Sequence, residues 1–98
     1  MIELGGNIVL VGFKELDSGS MVILKKMVGN YVKRMNEMVE GFENLTLTMK
    51  SVHTDNKFQI HAKVLESGRS ITSEVTDFNL FFTVDKALAK VCSELDQS

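Results

Sequence analysis

The hydrophobic pattern switches between extended and helical three times along this chain, and that order limits the fold more than any single motif. From Leu45 to Thr76, apolar residues alternate with polar ones. Leu45, Leu47 and Met49 are set against Thr46, Thr48 and Lys50. Phe58, Ile60, Ala62 and Val64 are set against Gln59, His61 and Lys63, and Ile71, Ser73 and Val75 against Thr72 and Glu74. A period of two with threonines on one side describes half-buried strands. The breaks between the runs, Thr54-Asp55-Asn56 and Glu66-Ser67-Gly68-Arg69, carry turn residues, so the three strands form an antiparallel meander.

On either side of the meander the period is helical. Met21, Leu24, Val28, Tyr31, Val32, Met35, Met38 and Val39 recur at spacings of three and four, and Leu80, Val84, Ala87, Leu88, Val91 and Leu95 repeat the pattern, flanked by Phe81 and Cys92. Asp17-Ser18-Gly19-Ser20 supplies the first N-cap, and Asp77 or Asn79 the second. Gly41 stands where a left-handed C-terminal residue of the first helix is expected. Gly29 weakens that helix by about 1 kcal/mol relative to alanine, and a close approach to the sheet accounts for it. Before the first helix, Ile2, Leu4, Ile8, Leu10 and Phe13 give an extended stretch, interrupted by Gly5-Gly6-Asn7. It reads as one kinked strand or two short ones, with the first strand placed mainly at 8–13. The order is βαβββα: an α+β fold with a mainly antiparallel four-stranded sheet. One sheet face is polar, so both helices pack on the other.

Ninety-eight residues, 44% of them hydrophobic, suit one domain spanning 1–98 with a single core. Lysine and arginine number 11 against 13 acids, a net charge of −2, which argues against a nonspecific nucleic-acid coat but leaves room for one basic face. A single cysteine excludes an internal disulfide. Without a signal-like start or a long apolar run, the expected location is the cytoplasm, with no membrane contact.

Motifs for catalysis are missing. There is no Gly-x-Ser-x-Gly elbow, no His-Glu-x-x-His and no phosphate loop. His53 and His61 lie near one hairpin, where a metal would need a third ligand such as Asp55, and solvated surface histidines are the simpler reading. Cys92 fits a buried, inert position. The expectation is a binding module without enzyme activity, cofactor or metal.

Two surface features carry a binding hypothesis. Lys25, Lys26, Lys33 and Arg34 fall in a stretch, Ser18 to Asn36, that has no acid. In helical projection Lys26, Lys33 and Arg34 lie opposite the apolar stripe and Lys25 at its margin. This is either a solvated face or a phosphate-contacting one. On the second helix Phe82 projects away from the stripe, with Lys86 and Lys90 following at four and eight residues. An aromatic ring beside two lysines can pack against a partner, cover a neighbouring loop or sit in a dimer contact.

The segments Lys57-Phe-Gln-Ile-His-Ala-Lys-Val-Leu-Glu-Ser-Gly68, Thr72-Ser-Glu-Val-Thr-Asp77 and Asn79-Leu-Phe-Phe-Thr-Val-Asp-Lys-Ala-Leu-Ala-Lys-Val91 resemble the ribosome hibernation-promoting factors, also called ribosome-associated inhibitors and sigma-54 modulation proteins. Ile2-Glu-Leu-Gly-Gly-Asn-Ile8 is similar to that family's opening strand and turn. Gly-Phe-x-Glu-Leu-Asp ahead of the first helix, together with Ser-Glu-Val-Thr-Asp ahead of the last one, resembles an archaeal branch. The resemblance implies a fold similar to double-stranded RNA-binding domains. It also implies binding to the small ribosomal subunit, in the channel for messenger and transfer RNA, and inhibition of translation under stress. Lys86 and Lys90 match basic positions of the family's last helix; the basic run on the first helix matches less closely. The family's last helix usually continues with basic residues, whereas Ser93-Glu-Leu-Asp-Gln-Ser98 is acidic and polar. Two functional classes therefore stand side by side. One is a ribosome- or structured-RNA-binding module using Lys25, Lys26, Lys33, Arg34, Lys86 and Lys90. The other is a protein-interaction module that forms a homodimer through Phe82 or the free edge of the sheet.

Overall fold

A computed structural model describes residues 2–52 and 57–96. His53 and the Thr54-Asp55-Asn56 turn lie outside the described residues, as does any metal site that would use them. The elements are β1 (Ile2–Leu4), β2 (Ile8–Val11), α1 (Ser18–Met38), β3 (Phe42–Val52), β4 (Lys57–Glu66), β5 (Arg69–Asp77) and α2 (Leu80–Asp96). They form one sheet in the order β1-β2-β3-β4-β5. Among the described residues only β2 and β3 are parallel, joined by the crossover helix α1; the other neighbours are antiparallel.

The sheet has five strands rather than four. Gly5 and Gly6 both adopt positive φ, 64° and 82°, and fold the first segment back on itself, so that Ile2 pairs with Leu10 and Leu4 with Ile8. β2 also ends earlier than 13. Gly12, at φ 86°, turns the chain out of the strand and lets Phe13 drop into the core as a fully buried loop residue. A Cβ on Gly12 would run into the backbone carbonyl of Met49.

The period-two faces sort as their residues require. Leu10, Leu45, Leu47, Ile60, Ala62 and Val64 are wholly buried beneath the helices, with Ile71 and Val75 nearly so. Leu24, Val28, Val32 and Met35 of α1 and Val84, Ala87, Leu88, Val91, Cys92 and Leu95 of α2 close the same core. α1 starts at Asp17, whose carboxylate accepts the Ser20 N–H at 3.1 Å; the Ser20 hydroxyl first, and that N–H second, hold its pKa below the ordinary aspartate value. α2 is capped by Asn79, whose Oδ1 accepts the Phe82 N–H at 2.9 Å. Thr83 is buried within α2 and donates its hydroxyl to the Asn79 carbonyl, which satisfies an otherwise costly buried polar atom.

Two glycine roles differ from the sequence reading. α1 ends on Val39 in an extended conformation, its N–H bonded to the Met35 carbonyl at 3.1 Å, with no left-handed residue. Gly41 serves close packing instead. A Cβ there would strike the Ser67 side chain, and the Gly41 carbonyl accepts the Ser67 N–H at 2.9 Å. Gly29 does not approach the sheet; it sits on the exposed side of α1 with open space where a side chain would go.

These environments predict opposite outcomes for two alanine substitutions. Gly29→Ala raises stability by about 1 kcal/mol, the ordinary helix-propensity difference. Gly12→Ala lowers it by about 2 kcal/mol or more, because a left-handed alanine costs roughly 1–2 kcal/mol before the clash with Met49 is counted. Urea denaturation of the two variants measures both.

Candidate nucleic-acid interface

Both helices lie on one face of the sheet and run side by side in the same direction. Tyr31 of α1 donates its hydroxyl to Asp85 Oδ1 of α2 at 2.7 Å. Further along, Arg34 and Met38 share a shallow groove with Ala89, Cys92, Ser93 and Asp96. That seam sets which helix faces look outward together.

Lys25, Lys26, Lys33, Arg34, Lys86 and Lys90 are all exposed. They do not form one cluster. Arg34 is not opposite the apolar stripe but on the flank of α1 that meets α2, with its guanidinium 5.2 Å from the centre of the Tyr31 ring. With the seam placed by Tyr31 and Asp85, helical projection sends Lys26 and Lys33 to the top of α1 and Lys25 to its far side. It sends Lys86 and Lys90 to the flank of α2 away from α1. The result is two lysine stripes. Between them runs a seam that sets Arg34 on the side of α2 bearing Asp85 and Asp96, so the acids of α2 dilute the basic surface at its middle.

Phe82 is exposed as the projection requires, at 50%, and the Lys86 ammonium sits 5.3 Å from its ring centre. Of the two lysines following Phe82, the one four residues on makes the ring contact. Such a contact is worth about 0.5–1 kcal/mol at an exposed site, and it fixes where the lysine charge stands.

Several surface features escaped the sequence reading. Val22 and Ile23 on α1 are more than half exposed beside the lysines. Phe78, just before α2, is 62% exposed, with the Lys57 ammonium 5.1 Å from its ring centre. This second Lys–Phe pair was within reach of the sequence. A two-residue turn at Ser67-Gly68 sets Glu66 opposite Arg69, and counting outward along both strands brings Lys57 level with Phe78. The Tyr31–Asp85 bond had no such signal, since it joins two separate helices.

The other sheet face is open. Thr48, Lys50, Gln59, His61 and Glu74 line a shallow depression there, and Gln59 donates to Glu74 at 3.0 Å. Burial pushes the Cys92 thiol pKa up, against a smaller opposing pull from Arg34. Among the described residues no three His, Cys, Asp or Glu side chains gather as a metal site. No helix there is long and apolar enough to cross a membrane.

The sequence matches no family model and no curated protein. The fold matches solved structures closely. It is similar to the N-terminal domain of Protein Y from Thermus thermophilus, with a TM-score of 0.71 at 13% identity over 92% of this chain and 93% of that one. It is equally similar to a ribosomal subunit interface protein from Coxiella burnetii, with a TM-score of 0.71 at 16% identity over 93% and 94% of the two chains. The α+β fold is therefore that of the structures the sequence segments resemble. Neither match bears on the archaeal branch.

The seam makes a pH prediction. Partial burial, then the bond to Asp85, raise the Tyr31 pKa from 10.0 to about 12. A phenol that holds its proton more tightly when folded stabilises the fold fully below its unfolded pKa. That contribution is lost as pH rises from about 10 to about 12. Native stability of the wild type should fall more steeply than that of Tyr31→Phe across this window. At neutral pH the variant should lose about 1 kcal/mol or less, since the bond is exposed. Denaturant melts of the pair at stepped pH measure both quantities.

Proposed function

We propose that this chain is a ribosome-binding module that docks its two-helix face on structured RNA of the small subunit and acts as a translation-inhibiting, hibernation-type factor in the cytoplasm. The observation that carries this reading is the common outward orientation of the lysine stripes of α1 and α2, on the side of the sheet opposite the threonine-rich face. The fold shared with a protein described as lying at the ribosomal subunit interface supports the choice of partner.

The stripes suit a grooved polyanion better than a flat one. Lys26 and Lys33 address one line of phosphates and Lys86 and Lys90 another, with the mixed-charge seam between them and Lys25 at the outer side of α1. A net charge of −2 makes the contact local, so nonspecific adhesion to nucleic acid stays weak. Arg34 contributes less than the lysines, because its guanidinium already faces the Tyr31 ring and α2 acids. Phe82, braced by Lys86, offers a ring for an unstacked base or an apolar protein surface beside the RNA.

The test is co-sedimentation with purified ribosomal subunits. The protein should travel with the small subunit at low salt. For about six phosphate contacts, affinity should fall roughly a thousandfold between 50 and 200 mM salt. Reversing Lys25, Lys26, Lys86 and Lys90 to glutamate should abolish binding and, in a cell-free system, relieve inhibition of translation. Retention of the reversed variant on subunits, or no binding at low salt, would overturn the reading.

A further inference from the structure

The two edges of the sheet differ in kind. β1 spans three residues, too short to template another strand, whereas β5 spans nine, with no proline, no lysine and an unbroken register against β4. Natural edge strands are ordinarily blunted by such devices. From the geometry of β5 we infer that it is a self-pairing edge: two copies of this chain join antiparallel through residues 69–77, about a twofold axis at Ser73, into one continuous sheet.

The hairpin turn decides which backbone groups are available. Ser67 and Gly68 occupy the turn with φ 51° and 78°, the positive pair of a type I′ hairpin, so the closing pair Glu66 and Arg69 is hydrogen-bonded. Alternation then directs the N–H and C=O groups of Arg69, Ile71, Ser73, Val75 and Asp77 toward β4. Those of Ser70, Thr72, Glu74 and Thr76 point away from the sheet. An axis at Ser73 pairs Ser70 with the other copy's residue 76, and Thr72 with its residue 74, which are the outward-facing groups on both strands.

The side chains select this register and a second copy as the occupant. About Ser73, Arg69 stands opposite residue 77 of the other copy, an aspartate, and Ile71 opposite its residue 75, a valine, with small serines meeting at the centre. An axis at Glu74 sets two glutamates face to face. An axis at Thr72 sets Arg69 opposite a valine and leaves Asp77 unmatched. A foreign strand has no reason to carry this palindrome of charge and size, whereas another copy carries it necessarily. Arg69 already bonds Glu66 at 2.7 Å, and its guanidinium has donors to spare for a second carboxylate. Ser73 is held facing the helices by a 2.7 Å bond to the Ala87 carbonyl, so its small side chain leaves the centre of the seam free of bulk. Lys86 and Lys90 lie on the flank of α2 nearest this edge, so the lysines of both copies border the seam on the helix side. The pairing stands independently of RNA binding.

Sedimentation equilibrium from about 1 µM to about 1 mM of the whole chain, without RNA, tests the pairing. The wild type should self-associate to a dimer and no further, because pairing consumes the β5 edge of each copy. Arg69→Asp and Asp77→Arg should each weaken the dimer at least tenfold, since each places two like-charge contacts across the axis. The double variant R69D/D77R should restore it. Thr72→Pro removes only an outward N–H and should yield monomers with an unchanged circular dichroism spectrum. A wild type monomeric throughout this range, or a double variant no tighter than the single ones, overturns the inference. So does a folded Thr72→Pro variant that still dimerises. Subunit binding by such a monomer leaves the ribosome reading intact, which keeps the two failures apart.

Discussion

The apolar face of the sheet is the constraint on which everything else rests. Leu10, Leu45, Leu47, Ile60, Ala62 and Val64 reach zero exposure only because two helices cover them. Along β3, β4 and β5 apolar residues alternate with polar ones, and in β2 burial alternates although all four residues are apolar, so the buried side chains of the strands share one side of the sheet. At roughly 25 cal/mol per Å² of apolar surface, these burials dominate the favourable side of folding. The consequence is geometric: α1 and α2 must share one layer, and their polar faces must then point the same way.

From that shared layer follow both the local chemistry and the candidate surface. Side-by-side helices bring Tyr31 within 2.7 Å of Asp85 and place Arg34 in a groove against α2. They also set the lysines of α1 and α2 on one outward side, although separated by the seam. The glycines serve the same layer. Gly12 ends β2 so that Phe13 can turn into the core, and Gly41 lets the chain leaving α1 pass tightly against the β4–β5 turn. The Ser67-Gly68 turn is tied down twice, through the Gly41 carbonyl and through the Glu43 carboxylate, which accepts the Gly68 N–H at 2.8 Å. A turn held in this way sets the register of β5 along its whole length, and with it the pattern of the free edge.

Fold likeness and sequence resemblance point the same way while differing in weight. Backbones that superpose at a TM-score of 0.71 with 13–16% identity share a layout of elements, and surface charge is free to diverge within it. Whatever this chain binds is therefore decided by its own surface, by the lysine stripes with Phe82 and Lys86, and not by the fold alone. The end of α2 is acidic, with Glu94 and Asp96, which confines the basic residues of that helix to its middle, at Lys86 and Lys90.

Much of this molecule is legible in its sequence. Alternation marked β3, β4 and β5, helical spacing marked α1 and α2 with the buried sets they present, and the exposure of Phe82 followed from projection. These are local properties, carried by the period of side-chain direction within one element. Tertiary structure decided the rest, because the deciding contacts join residues far apart in the chain. The pairing that makes β1 a separate strand, the roles of Gly29 and Gly41, and the placement of Arg34 at the seam all depend on which neighbour lies alongside. The sequence determined one apolar sheet face and two amphipathic helices to cover it. Only packing determined that their charges form two stripes with an acid-bearing seam between them, since the angle at which one helix meets another is set by its neighbours and not by its own period.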